Sequence, residues 1–174
     1  AEAPKQAEAP TTEEQAELVR SRLLQEARPY AEWEILSVDV KRALADLSYV
    51  MPTPVQRASI EPAMAAQDMV VQAKTGTGKT SAFGIPIVEM VEPKKTRNPQ
   101  AVVLVPTREL ASQVADEIAA LGRYKGVRVG ALYGGIRMDE QIQVLASGVD
   151  VAVGTPGRLA DHLRRRTVVF EDVR

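Results

Sequence analysis

No cysteine occurs in the 174 residues, so no disulfide framework is available and nothing hints at an oxidising compartment. No apolar run approaches the roughly 20 residues needed to cross a bilayer, which argues against a membrane-spanning helix. No charged-then-apolar leader opens the chain, although it begins at Ala1 and a removed leader therefore stays open. A cytoplasmic location with no membrane partner is the expectation. Excess charge is lacking as well: 22 Lys plus Arg face 23 Asp plus Glu, a net of −1, unlike a domain that grips nucleic acid through bulk basicity. Histidine is nearly absent, and the single His162 reads as an exposed helix residue rather than a ligand or base.

What is present is a chain with 45% hydrophobic residues, long enough to bury one core. Its charge is uneven. Residues 1–34 hold eight acids against four bases, leaving the remainder mildly basic. The Ala-Glu-Ala-Pro repeats of residues 1–10 have almost nothing to bury and read as a disordered tail. Thr11 or Thr12 followed by Glu13, Glu14 and Gln15 resembles a helix start, and Leu18, Val19, Leu23 and Leu24 supply an apolar stripe before Pro29. The reading is an acidic extension over 1–34, with a short helix over about 11–28, followed by one domain over 35–174.

Within that domain a helix is expected at 38–47, and then a regular alternation begins. Short β-branched runs at 69–72, 101–105, 127–133 and 150–153 are separated by helical patterns at 79–91, 108–121, 139–145 and 158–165. Strand and helix in turn imply an α/β fold with a parallel sheet flanked by helices. Ligands of such sheets collect beyond the carboxyl ends of the strands. The loops to compare are therefore Ala73 to Thr80, Pro106 to Glu109, Gly134-Gly135 and Gly154 to Arg158.

Ala73-Lys74-Thr75-Gly76-Thr77-Gly78-Lys79-Thr80 reads as a phosphate-binding loop. Gly76 and Gly78 let the backbone turn its amides inward, Lys79 reaches the terminal phosphates, and the Thr80 hydroxyl is placed to ligate Mg2+. The helix that follows presents its amino end to the anion. Thr107 of Pro106-Thr107-Arg108-Glu109 is a good helix cap whose neighbouring amides suit a phosphate, and Thr155-Pro156-Gly157-Arg158 repeats the design. Each alone is an ordinary helix start, and Gly134-Gly135 alone an ordinary turn. Their convergence on one sheet edge would let a nucleic-acid strand meet all of them. Pro52-Thr53-Pro54-Val55-Gln56 reads alone as a proline-rich turn, but Gln56 has the donor and acceptor complement of an adenine edge.

Together these residues resemble the DEAD-box ATP-dependent RNA helicases of superfamily 2. Residues 52–56 resemble the adenine-reading Q motif, 73–80 the family's phosphate loop, which characteristically starts with Ala, and 106–111 its motif Ia. Gly134-Gly135 resembles the glycine doublet and 155–159 motif Ib, in family order across about residues 36–174. The resemblance implies a RecA-like first lobe that binds ATP and Mg2+, with Gln56 and Thr53 on the adenine side. Pro106, Thr107, Arg108, Gly134, Gly135, Thr155, Pro156, Gly157 and Arg158 are then expected along an RNA sugar-phosphate backbone, and a second RecA-like lobe as the partner. The family's stacking aromatic falls near Ala31, which Tyr30 and Trp33 flank.

The match is incomplete. The Asp-Glu-Ala-Asp signature is absent from the sequence, as are the Ser-Ala-Thr motif and a second lobe. Val168 to Asp172 has the apolar-then-acidic form of a metal-holding strand end, yet the resemblance puts it upstream, so Glu171 and Asp172 read as surface residues. The expectation is a partial lobe with an open sheet edge and exposed apolar surface, inactive alone as an ATP hydrolase because groups that position magnesium and water are missing. Two rivals are a short binding module for RNA or protein without turnover, and a DNA-directed superfamily 2 motor.

Overall fold

A computed structural model of the chain describes residues 28–173. The tail expected over 1–10 and the helix expected from residue 11 lie outside the described residues. After a 3-10 turn at Tyr30–Glu32 come α1 (Val38–Asp46), α2 (Pro54–Met64), α3 (Lys79–Met90), β1 (Ala101–Leu104), α4 (Arg108–Leu121), β2 (Val129–Leu132), α5 (Met138–Ala146), β3 (Val151–Gly154) and α6 (Pro156–Arg164). The three strands form one parallel sheet in the order β1-β3-β2. Leu104, Gly154 and Leu132 lie side by side in its register, so the three following turns leave one edge together.

The central strand explains how the layers are held. β3 is buried throughout, and its side chains alternate between two cores, as the two-residue period of a strand requires. Val151 and Val153 join the larger cluster with Val40, Leu44, Ile85, Ile118 and Leu121 from α1, α3 and α4. Ala152 faces Leu132, Leu145, Val149, Leu159 and Val168 on the side of α5 and α6. A sheet covered on both faces reads as continuous apolar runs, which is why residues 150–153 were legible as a strand. Among the described residues, no helix is long and apolar enough to cross a membrane.

Two expectations need correction. The run at 69–72 is not a strand. Met69 and Val71 are exposed, Val70 is fully so, and a groove of about 570 Å³ separates Met69 and Val71 from Val102 to Val105. A strand is made by pairing rather than by β-branched composition, and this run finds no ladder partner among the described residues. β1 therefore keeps one free edge, with Leu104 exposed. The second correction adds a helix. Thr53-Pro54-Val55-Gln56 is not merely a proline-rich turn but opens α2, with Pro54 in its first turn and Gln56 Oε1 accepting from Thr53 N at 2.7 Å.

The segment from Val168 to Val173 forms no strand either. Val168 is buried and Phe170 packs against the same cluster, while Glu171 is exposed and Asp172 accepts from Asn98 Nδ2 at 3.1 Å. Among the described residues no group of three or more metal-ligating side chains occurs.

Candidate nucleotide and nucleic-acid site

The phosphate loop turns at Gly76 and Gly78, with φ of 76° and 82°. At Gly78 the requirement is twofold: the left-handed backbone disfavours a side chain, and a Cβ would collide with the amide of Gln56. Gly78 is also the N-cap of α3, and no side chain caps that helix, so its first-turn amides stay available to an external anion. Lys79 Nζ donates to the carbonyl oxygens of Ala73 at 2.8 Å and Lys74 at 2.7 Å. Thr77 Oγ1 donates to Lys74 O at 2.8 Å. Thr75 is exposed and Thr80 half-buried. The ammonium thus rests on neutral carbonyls, a placement that an anionic phosphate can outcompete. Thr80 offers one hard oxygen, which suits a magnesium ion that takes its other ligands from phosphate and water.

Gln56 ties this loop to the amino-terminal segment. It is buried, its Nε2 donates to Gly78 O at 3.1 Å, and its Oε1 accepts from Tyr30 Oη at 2.7 Å as well as from Thr53 N. Burial pushes the Tyr30 hydroxyl well above the ordinary tyrosine range, against the pull of Arg57, so it remains a donor. Thr53 Oγ1 donates to Thr77 O at 2.8 Å, a second strut between α2 and the loop. Tyr30 is 2% exposed and packs edge-on against Trp33, with ring centroids 5.5 Å apart. Its ring is a core anchor, and of the two aromatics beside Ala31 only Trp33 keeps partial exposure. Tyr30 was missed as a partner of Gln56 because the two are 26 positions apart and no local pattern links them.

At the sheet edge the turns do converge. Thr107 caps α4 by accepting from Leu110 N at 3.2 Å. Thr155 makes no such side-chain bond, and Pro156 brings no N–H, so the start of α6 leaves its amides exposed at Gly157. Arg108 Nη1 donates to Gly134 O at 3.4 Å, and Arg158 Nη1 donates to Ile136 O at 3.1 Å. Both arginines therefore converge on the turn after β2, Arg158 from the turn after the adjacent β3 and Arg108 from the turn after β1, one strand further away. Gly135, at φ 94°, lies so close to Arg108 that a Cβ would meet the guanidinium. Pro106, Thr107 and Arg108 are exposed, as are Gly135, Pro156 and Gly157. Lys79 and Thr80 line the groove that Leu104, Val105 and Leu110 border, which sets the phosphate loop beside the carboxyl end of β1.

His162 departs from expectation. It is fully buried rather than exposed, with Nε2 3.0 Å from Gln141 Oε1 and Nδ1 2.8 Å from Thr167 Oγ1. The helical spacing to Leu159 puts both on the buried face of α6, and that spacing was the signal available. Burial, reinforced by the charge of Arg158, holds its imidazole below the usual histidine range.

A family model described as DEAD/DEAH box helicase matches residues 53–174, well over half of the chain. The chain belongs to this family. Curated relatives include the DEAD-box ATP-dependent RNA helicase CshA of Bacillus licheniformis, 45% identical over 138 residues. That alignment covers 79% of this chain and 28% of the relative, so the chain spans less than a third of the protein it matches. Among solved structures, a DEAD box protein from the hyperthermophile Methanococcus jannaschii superposes with a TM-score of 0.77 at 36% identity, over 85% of this chain and 40% of that one. A yeast DEAD-box splicing factor gives 0.76 at 32%, over 84% and 37%. The parallel sheet with its flanking helices is thus part of a RecA-like DEAD-box domain, as the sequence motifs imply.

Proposed function

We propose that this chain carries the ATP-binding and part of the RNA-binding surface of a DEAD-box ATP-dependent RNA helicase. The observation that carries the reading is the shared edge: Arg108 and Arg158 meet on the Gly134–Ile136 turn, beside a phosphate loop at the end of β1. In this reading Ala73 to Thr80 enclose the triphosphate, with the Gly76 and Gly78 turns supplying inward amides and Lys79 leaving its carbonyls for phosphate oxygens. Thr80 would hold Mg2+, which neutralises phosphate charge when bound. Gln56 and Thr53 sit on the adenine side. Because Gln56 already holds Gly78 O and accepts from Tyr30 and Thr53, reading a base through both its atoms exchanges those bonds, coupling base occupancy to the phosphate loop.

Pro106, Thr107, Arg108, Gly134, Gly135, Thr155, Pro156, Gly157 and Arg158 line the RNA backbone in this account. Amides and guanidinium groups there meet phosphates and riboses, so recognition is blind to base sequence. A second RecA-like lobe is the expected partner, completing the site around the triphosphate. The test is Lys79→Ala in the full-length protein, which should lower RNA-stimulated ATP hydrolysis by about a hundredfold or more. Retained turnover contradicts the assignment. Stimulation by DNA as strong as by RNA would favour a DNA-directed motor instead.

A further inference from the structure

The turn that both arginines use is itself held by a buried pair that none of the motifs includes. Gln141, in the first turn of α5, is 3% exposed, and its Nε2 donates to Tyr133 O at 2.8 Å, immediately before Gly134. With its amide nitrogen so committed, Gln141 turns its oxygen to His162 Nε2, which must therefore carry the proton. Thr167 Oγ1 lies 2.8 Å from His162 Nδ1 and 3.1 Å from the His162 carbonyl oxygen, and its single proton serves one of them at a time. Neither Arg137 before α5 nor Thr155 before α6 caps its helix with a side-chain hydrogen bond. The chain Tyr133 O, Gln141, His162 ties the turn after β2 and the first turn of α5 to the last turn of α6, one helical turn beyond Arg158.

We propose that Gln141 and His162 are positioning residues for RNA: together they fix the Tyr133–Ile136 turn against α6, so that Arg108 and Arg158 are both presented to the same stretch of backbone. The inference rests on the RNA-binding reading above. Neither side chain touches RNA, being buried, and their action passes through the carbonyls of Gly134 and Ile136 to the two guanidinium groups. A buried, fully satisfied polar pair specifies one arrangement, because leaving either partner alone strands a polar group without solvent.

Gln141→Glu in the full-length protein separates this role from simple packing. It keeps the shape and the acceptor for His162, but replaces the donor to Tyr133 O with a second oxygen. Affinity for a labelled single-stranded oligoribonucleotide, with a non-hydrolysable ATP analogue present, should fall about five- to tenfold. The loss in ATP-analogue affinity measured without RNA should be much smaller. Hydrogen exchange at the amides of residues 134–137 should accelerate, and His162→Gln, which places an amide N–H near the Nε2 position, should recover most of the affinity lost in His162→Ala. Equal losses for RNA and nucleotide, or unchanged exchange in that turn, would overturn the proposal. Wild-type protein without RNA affinity would contradict the functional reading, while the exchange comparison still decides whether the pair fixes the turn.

Discussion

At the amino ends of the three strands a buried carboxylate draws the structure shut, whereas at their carboxyl ends two arginines rest on single carbonyls. Asp150, which enters β3, has no exposed surface. Its Oδ1 accepts from Arg128 Nη2 at 2.7 Å and Lys94 N at 3.1 Å, and its Oδ2 from Arg128 N at 2.8 Å and Nε at 2.9 Å. Arg128 Nη2 also donates to Thr96 O at 2.8 Å, tying in the loop before β1. At the other end, among the described residues, Arg108 and Arg158 each make one side-chain hydrogen bond, and Arg108 is exposed. The same residue type thus stands in two settings: saturated with internal acceptors it fixes loops, and with donors to spare it suits the phosphate contacts proposed above. The division follows the rule that parallel sheets bind ligands at their carboxyl ends.

Substitution at the closed end should do the most damage. Asp150→Ala leaves the partly exposed Arg128 guanidinium and the Lys94 amide without their acceptor and should cost about 2–4 kcal/mol in urea unfolding. A loss below about 1 kcal/mol would place Asp150 among ordinary surface pairs and dissolve the distinction. A smaller effect is expected from acid. Burial raises the Asp150 carboxyl, but the hydrogen bonds from Arg128 and Lys94 and the Arg128 charge outweigh it and hold it below the ordinary aspartate value of 3.8. A lowered value in the folded state means that the unfolded chain takes the proton first as pH falls. The contribution is therefore whole above the ordinary aspartate range and is lost as pH drops through it toward the lowered value. Unfolding free energies measured between about pH 5 and 3 should show this slope, and Asp150→Asn should flatten it. An unchanged slope in the variant would assign the acid loss to other groups.

Most of the open end was legible in sequence, because it is built from local grammar. A strand followed by Thr-x-x or by Gly-rich turns announces a helix start, and the periodicity of residues 108–121 matches α4 residue for residue. The phosphate loop and both arginines lay in such local patterns. Less legible was whatever depends on distant partners. The run at 69–72 has strand composition but no neighbour to pair with, and composition alone cannot report pairing. His162 looked exposed because its partner Gln141 lies 21 positions away, and Tyr30 was not connected to Gln56 for a similar reason. The capping contact between Thr53 and Gln56 was available in sequence, yet the flanking prolines pointed to a turn before they pointed to a first helical turn.

In the proposed reading, the carboxyl ends of β1, β2 and β3 form one surface for a nucleic-acid backbone. The salt dependence of RNA binding by the full-length protein tests it most directly, with Arg108→Ala and Arg158→Ala compared singly and together. Each arginine that neutralises a phosphate should lower the slope of log affinity against log salt by about 0.7 for a single strand, with little change in unfolding stability. Slopes and affinities that stay at the wild-type values in the double variant would contradict the claim.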